Sequence, residues 1–481
     1  MAQLVISPES SITVTNGTSL YVGTSLFLKS DATGSGHIAD QNISGNIDIT
    51  GDISIERYLT QDGWHNVSAP LNNLSSTSFT GTDLIFYYDE TIIMNDWNFG
   101  WVLYEGPLEI MRGYDVFLPT TTTTTYYAPS AGSLNTGTYT QAITRTNPPN
   151  GEVLNRKGWN LLGNPYPSPV DWIQESGWNK NDINDAKYIW NPDNNNYTIF
   201  LGGSSPTGIN DATQYIPSNQ GFWVQAVQNG SVQINNSARM GVAELTPGYY
   251  KNNNSEHSEL RLIASGNGYT DETLIRFIEE STIDFDINLD ASKLFTLHDS
   301  VPQINTVTAN NLLAINTLPE LTDGLKINLN FVCNSVGTYS ISISENSTID
   351  DRNSIYIADK LLGNIHEITT SRDYYFQHSP LNNESRFVVY FNPSEDILNN
   401  DLNKNEFTLT TSKNTITVIR NTTMYSNGII NIYNLLGQKI STVELTNTHK
   451  TSFNLIAQSG YYIASIIVDN QAFNYKIKIS E

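Results

Sequence analysis

Tyr339-Ser340-Ile341-Ser342-Ile343-Ser344 alternates large apolar and small polar side chains with a period of two. Successive side chains of a β-strand point to opposite faces, so this period assigns Tyr339, Ile341 and Ile343 to a core and the serines to the other side. The same alternation recurs in Ile47-Asp48-Ile49-Thr50 and in Thr415-Ile416-Thr417-Val418. β-Branched and aromatic residues fill these runs, and Asn, Gly and Asp interrupt them about every 8–12 residues. The pattern predicts an all-β chain of several β-sandwiches with a short β-rich N-terminal segment. Helix signals are scarce. Ser168-Pro169-Val170-Asp171 is the best, with an N-cap, a Pro at the first helical position and an acid three after the cap, for a helix ending near Gly177.

Composition bounds the function. At roughly 150 residues per domain, 481 residues predict about three domains. Hydrophobic residues make up 38% and aromatics 11%, enough for packed cores and too much for a disordered chain. Only 15% are charged, and 57 Asn supply much of the remaining polarity. The net charge of −23 argues against a general binder of nucleic acid or anionic membrane, which needs clustered Lys and Arg. It leaves acidic loops as candidates for divalent cations. Cys333 is the sole cysteine, so neither an intrachain disulfide nor a cysteine metal cluster can form. No apolar run approaches the ~18 residues of a transmembrane segment. No export-signal core follows Met1, so the sequence reads either as cytosolic or as a mature form whose signal has been removed.

Residues 1–50 read as short strands, either rungs of a small β-helix or the edge of a sandwich. An internal duplication follows over 51–245. Gly63-Trp64-His65-Asn66-Val67-Ser68-Ala69-Pro70 parallels Gly158-Trp159-Asn160-Leu161-Leu162-Gly163-Asn164-Pro165. Downstream, Arg112-Gly113-Tyr114-Asp115-Val116-Phe117 parallels Gln220-Gly221-Phe222-Trp223-Val224-Gln225. Linker-like stretches at 246–257 and 393–406 set off a third unit, 258–392, and a last one, 407–481. The last unit has its own apolar set, including Ile432, Leu435, Leu436, Leu455, Tyr462, Ile466 and Ile477.

That last unit carries Gly428-Ile429-Ile430-Asn431-Ile432-Tyr433-Asn434-Leu435-Leu436-Gly437-Gln438, then Gly460-Tyr461-Tyr462-Ile463, then Tyr475-Lys476-Ile477-Lys478-Ile479. In motif and order it resembles the type A C-terminal sorting domain of the type IX secretion system of Bacteroidota. The usual Pro-Asn-Pro near the start of that domain is replaced here by Val418-Ile419-Arg420-Asn421. The resemblance implies an immunoglobulin-like sandwich read by the type IX machinery, with Gly428, Tyr433, Leu436, Gly437, Gln438, Gly460, Tyr461, Lys476 and Lys478 as its motif residues. It also implies export to the outer-membrane surface or the medium. Residues 258–392 more weakly resemble the β-sandwich modules that precede such domains, through Asn267-Gly268-Tyr269-Thr270-Asp271-Glu272 and Arg386-Phe387-Val388-Val389-Tyr390-Phe391.

No catalytic spacing is found: there is no His-Glu-x-x-His, Gly-x-Ser-x-Gly, phosphate loop or dinucleotide fingerprint. No two of the seven His lie four apart. His65, where the other copy has Asn160, reads as a half-buried hydrogen-bonding residue. Asp284, Asp286, Asn288 and Asp290 fall in a calcium-loop register that Leu289 and Phe295 break, so a strand with Phe285, Ile287 and Leu289 inward is the stronger reading. Asp182, Asn184 and Asp185 are weak calcium candidates, and they and Asp193–Asn196 read mainly as solvated turns. All eight Trp lie between Trp64 and Trp223. Trp64, Trp159 and Trp223 sit in the repeated strands and are assigned to core. Trp97, Trp101, Trp178 and Trp190 sit among Asn, Asp and Gly, where exposed rings suit sugar faces; capping a sandwich core is the competing role. The expectation is an exported binding or structural protein, an adhesin or glycan-binding module. The competing class is a carbohydrate hydrolase on a β scaffold, which needs two converging carboxylates, and a ligand-free stalk is a third.

Overall fold

The computed structural model describes residues 3–42, 47–60, 63–79, 82, 84–92, 100–119, 122–128, 133–146, 157–241, 257–308, 311–394, 407–420, 427–446, 448, 450–468 and 471–479. The chain is all-β, and among the described residues the helical pieces are 3-10 turns such as Glu175–Gly177. Gly337–Ile343 is a strand that buries Tyr339, Ile341 and Ile343. The helix expected after Ser168 does not form. Val170–Asp171 pairs instead with Tyr215–Ile216, and the Asp171 carboxylate accepts the Ile173 N–H, so tertiary pairing overrides the local start signal.

At the N-terminus the strands stack in parallel. Leu4–Ile6, Leu26–Leu28 and Ile53–Leu59 form one ladder, Ser11–Val14 and His37–Asp40 a second, Leu20–Val22 and Ile47–Ile49 a third. Parallel neighbours need a long connection, and here each connection is the rest of a coil. These are β-helix rungs, with Ile6, Leu28 and Ile55 among the residues facing inward.

The duplicated phrases build two antiparallel sheets with one strand order. The first runs Gly63–Ser68, Gly113–Leu118, Ile85–Tyr88, Trp101–Leu103. The second runs Trp159–Gly163, Gly221–Ala226, Ile183–Asn191, Asn196–Leu201, and adds Thr207–Ile209 at its edge. Their junction is symmetric. Val67 bridges Gln220, and Leu162, the counterpart of Val67, bridges Arg112, the counterpart of Gln220. Gly163 N donates to Met111 O at 2.9 Å, and Ser68 N donates to Asn219 O at 3.1 Å, again matching positions. Met111 and Asn219 both take positive φ, at 67° and 58°. The seam is tight because glycine lines it. A Cβ on Gly163 would lie 2.3 Å from Ser68 Cβ and 2.7 Å from Arg112 O. Gly163→Ala is therefore expected to lower stability by about 1–3 kcal/mol through overpacking. Unfolding followed by Trp fluorescence reads this region, since every Trp lies in it; an unchanged midpoint would mean that the seam can open without cost.

Contacts divide the chain into two compact units, residues 1–321 with 341–350 and residues 322–340 with 351–481. The boundary of this division falls inside the expected 258–392 unit. In the first unit, Ser258–Gly266 and Tyr269–Phe277 form a hairpin, and Leu312–Leu318 runs parallel to its second strand. Leu274, Leu294 and Ile315 share one core with Trp159, Tyr188 and Trp223 of the second copy, which is why this segment stays with the first unit. The Asp284–Asp290 stretch is not a strand. Asp290 is buried and its carboxylate accepts the N–H groups of Asp286 and Thr317, which folds the stretch into turns and leaves Ile287 exposed.

In the second unit, Lys326–Val332, Ile355–Asp359 and Asn364–Ile368 combine with Phe387–Phe391 in antiparallel pairing. Beyond it, two sheets face each other. Phe407–Ser412, Thr415–Arg420 and Lys450–Asn454 form one; Lys439–Leu445, Gly428–Asn434, Gly460–Val468 and Gln471–Ile479 form the other. Seven strands in two antiparallel sheets match an immunoglobulin-like sandwich. Among the described residues its core, including Ile416, Val418, Ile432, Leu455, Ile466 and Ile477, draws on residues from 407 onward. Leu435 and Leu436 are not in it. They sit on the turn after Asn434, and Leu436 is 92% exposed. Most of both expected linkers, 242–256 and 395–406, lies outside the described residues.

Candidate functional site

Alternation fixes which side chains of the first copy share a face. Along Gly63–Ser68, His65 and Val67 turn inward, and Val67 joins the core with Tyr114 and Val116 of the paired strand. Trp64 and Asn66 therefore face the other way, opposite Phe117 and Asp115. On that face lies a cleft of about 300 Å³ walled by Trp64, Phe86, Trp101, Trp190 and Tyr197, with Asn66 and Asp115 as its polar groups. Trp64 meets Phe86 and Phe117 edge to face, with centroids 5.6 and 5.2 Å apart. Trp190 meets Tyr197 in the same manner at 5.1 Å, and its indole N–H donates to Trp64 O at 2.9 Å. Trp101 is held edge-on by Tyr88 and Trp223.

Asn66 organises the polar end. Its amide nitrogen donates to Asp115 Oδ1 at 2.8 Å, and its Oδ1 accepts the Trp223 indole N–H at 3.2 Å. Gln220 fixes its backbone by donating to Asn66 O at 2.8 Å. Asp115 opens onto the cleft, but rings surround it, and this desolvation pushes its pKa up to about 7 against the opposing Asn66 hydrogen bond. The Tyr197 hydroxyl is raised as well, first by burial and then by the nearby Asp115 charge.

Sequence reasoning gave Trp64 a core role, and the structure corrects this. Trp64 is 39% exposed at the cleft mouth, whereas its counterpart Trp159 is 1% exposed within a core. The cause is the neighbouring face: the counterparts of Asn66 and Asp115 are Leu161 and Trp223, both buried and apolar. Comparing the two copies position by position carries that signal in the sequence. Of the four tryptophans set among Asn, Asp and Gly, Trp101 and Trp190 come together in this cleft, and both lie on strands, Trp101–Leu103 and Ile183–Asn191. Trp178 lies elsewhere, in a wider hollow with Trp172, its indole N–H donating to Asp171 O. Lys180 in that hollow sits 4.1 Å over Trp172 and 2.5 Å from Asp185. Trp97 lies outside the described residues.

The calcium candidates do not share a target. Asp182 accepts from Gln228 and Ser231, Asn184 donates to Ile287 O and Asp290 O, and Asp185 accepts from Lys180 and Gly203. Among the described residues no group of three or more His, Cys, Asp or Glu is placed to hold a metal. No helix among them is long and apolar enough to cross a membrane.

The motif residues of the last unit mark one strand, one turn and one exposed edge. Gly428 starts the Gly428–Asn434 strand, against Val468 and Ile467, and Tyr433 lies near its end. The Asn434 side chain accepts the N–H groups of Leu436 and Gln438, and Gly437 takes φ +80° to close the turn. Gly460 begins the strand that presents Tyr461, and the exposed Lys476 and Lys478 of the adjoining strand hold their ammonium groups 4.4 and 6.0 Å from its ring. Curated proteins offer no match to the chain. The family described as Domain of unknown function (DUF8693) matches residues 1–391, which take in the rungs, both sheet copies and the cleft, and the chain belongs to that family.

Proposed function

We propose that this protein is an exported surface or secreted glycan-binding protein, an adhesin in function, whose ligand site is the tryptophan cleft and whose last unit is a type IX sorting domain. The observation that carries the binding reading is the convergence of Trp64, Trp101 and Trp190 around the Asn66–Asp115 pair. Flat apolar faces beside an amide and a carboxylate suit a sugar ring, which has an apolar face and a hydroxyl edge. Binding is favoured over hydrolysis because Asp115 is the one carboxylate among the described residues lining the cleft, and glycoside hydrolysis ordinarily uses two. The delivery reading draws support from the exposed Leu435-Leu436 turn, the Tyr461 edge with its two lysines, and a family match that stops at residue 391.

A glycan array probed with the full chain tests the reading. Trp101→Ala is expected to weaken capture of any positive glycan by about 1–3 kcal/mol, on the scale of base–aromatic stacking taken as an analogy. Titration calorimetry measures it. Binding that Trp101→Ala leaves intact would move the site away from this cleft.

A further inference from the structure

We infer that the ligand of the cleft carries an alkylated ammonium group, seated between the rings of Trp64, Trp101 and Trp190 and the carboxylate of Asp115. This rests on the proposed reading of the cleft as the ligand site. It goes further by naming the chemistry that the cleft selects.

The first observation is an unbalanced charge. Asp115 sits among aromatic rings and accepts a hydrogen bond from the neutral amide of Asn66. No Lys, Arg or His lines the cleft among the described residues. A carboxylate in such surroundings is costly to ionise unless a cation joins it, and its upward-shifted titration reflects that cost. A neutral sugar brings hydroxyls but no charge. A cationic ligand removes the imbalance.

The second observation is the shape and chemistry of the walls. Trp64 and Phe86 meet at 68°, and Trp190 and Tyr197 at 64°, so the rings stand at steep angles around a space instead of stacking it shut. Indole faces carry negative quadrupole density and attract a cation, most strongly where water is excluded. At about 300 Å³ the cleft is at the small end of ligand pockets, right for a single head group.

The third observation separates an alkylated ammonium from a bare one. A primary ammonium has three N–H donors to satisfy. In the cleft, Asn66 Oδ1 already accepts from Trp223 and the Asn66 amide nitrogen already serves Asp115. The acceptors that remain, Asp115 and the Tyr197 hydroxyl, belong to one part of the lining; the rest is rings and Leu297, where methyl groups pack and an N–H donor finds no acceptor.

Choline and its neutral isostere 3,3-dimethylbutan-1-ol are the probes, titrated into the full chain at pH 8. Choline is expected to bind at least about tenfold more tightly than the alcohol. Asp115→Asn keeps the acceptor for Asn66 and removes the charge, so it should melt no lower than wild type while the preference falls below about threefold. Trp101→Ala should weaken both probes. Equal affinity for the two probes, absence of choline binding at millimolar concentration, or a choline preference that survives Asp115→Asn overturns the inference. A positive glycan array with no preference for choline would leave the glycan reading standing without the ammonium. Choline selectivity with a negative array would uphold the ammonium and remove the glycan.

Discussion

Replacing Lys293 by Met is expected to destabilise the first unit by about 3–5 kcal/mol, the range for breaking a buried ion pair from one side. Lys293 Nζ lies 2.5 Å from Asp271 Oδ2, and both side chains are fully buried. The same carboxylate accepts Ile304 N at 2.8 Å and the side-chain amides of Asn196 and Asn210 at 2.9 and 3.0 Å. Without the ammonium, three neutral donors remain around a charge with no access to water. Asp271→Asn should cost at least as much, since its amide would turn a donor toward either the Lys293 and Ile304 donors or the two asparagine amides. Trp fluorescence during denaturation isolates the effect, because the second unit contains no Trp. A Lys293→Met transition within about 1 kcal/mol of wild type would show that the carboxylate finds a proton or water cheaply. The network also matters to the cleft. Asn196 adjoins Tyr197, which faces Trp190 across the ladder, so this buried charge braces one wall of the proposed site.

The Asp271 network marks where legibility in the sequence ends. Strands were legible because the backbone imposes period two on any half-buried segment, as Tyr339, Ile341 and Ile343 show. The duplication was legible because both copies meet across a seam lined by glycine, where Gly113 and Gly163 have no room for a side chain and Gly221 is tight. Pairing was not legible. Asp271 and Lys293 are 22 residues apart, and nothing local says that two charges will meet in a core. Asn196 read as part of a solvated turn for the same reason; it is buried and spends its amide on Asp271. The site was half legible. Trp101 and Trp190 stood out by their polar neighbours in the sequence, whereas nothing local marks Trp64 and Asp115: alternation alone assigns their face without saying whether that face is covered. In the second copy Leu161 and Trp223 of that face join a core with Leu274, Leu294 and Ile315, while in the first copy Asn66 and Asp115 line the cleft.

Deleting residues 407–481 is expected to abolish delivery to the surface or medium while leaving the first unit folded. The sandwich formed from 407 onward closes its own core: Ile416 and Val418 of one sheet meet Ile430, Ile432 and Ile466 of the other. A domain of roughly 75 residues can fold alone without disulfides when its core is closed in this manner. The sandwich also displays apolar side chains at its surface. Leu435, Leu436, Tyr461 and Ile456 stand out in solvent, and apolar side chains held outward by a defined turn suit a receptor better than a core. The truncated chain should therefore keep the wild-type Trp fluorescence transition and any ligand binding, yet accumulate inside a type IX-competent producing cell. A second variant separates recognition from folding. Leu435→Ser with Leu436→Ser removes exposed apolar surface only, so it should leave the sandwich's melting unchanged and still lower the exported fraction severalfold if the turn is read. Fractionation and immunoblotting of cells and medium measure both. Truncated protein found outside at wild-type levels would make the last unit one more sandwich and remove the delivery role; full export of the double serine variant would place recognition elsewhere on the unit, at the Tyr461, Lys476 and Lys478 edge.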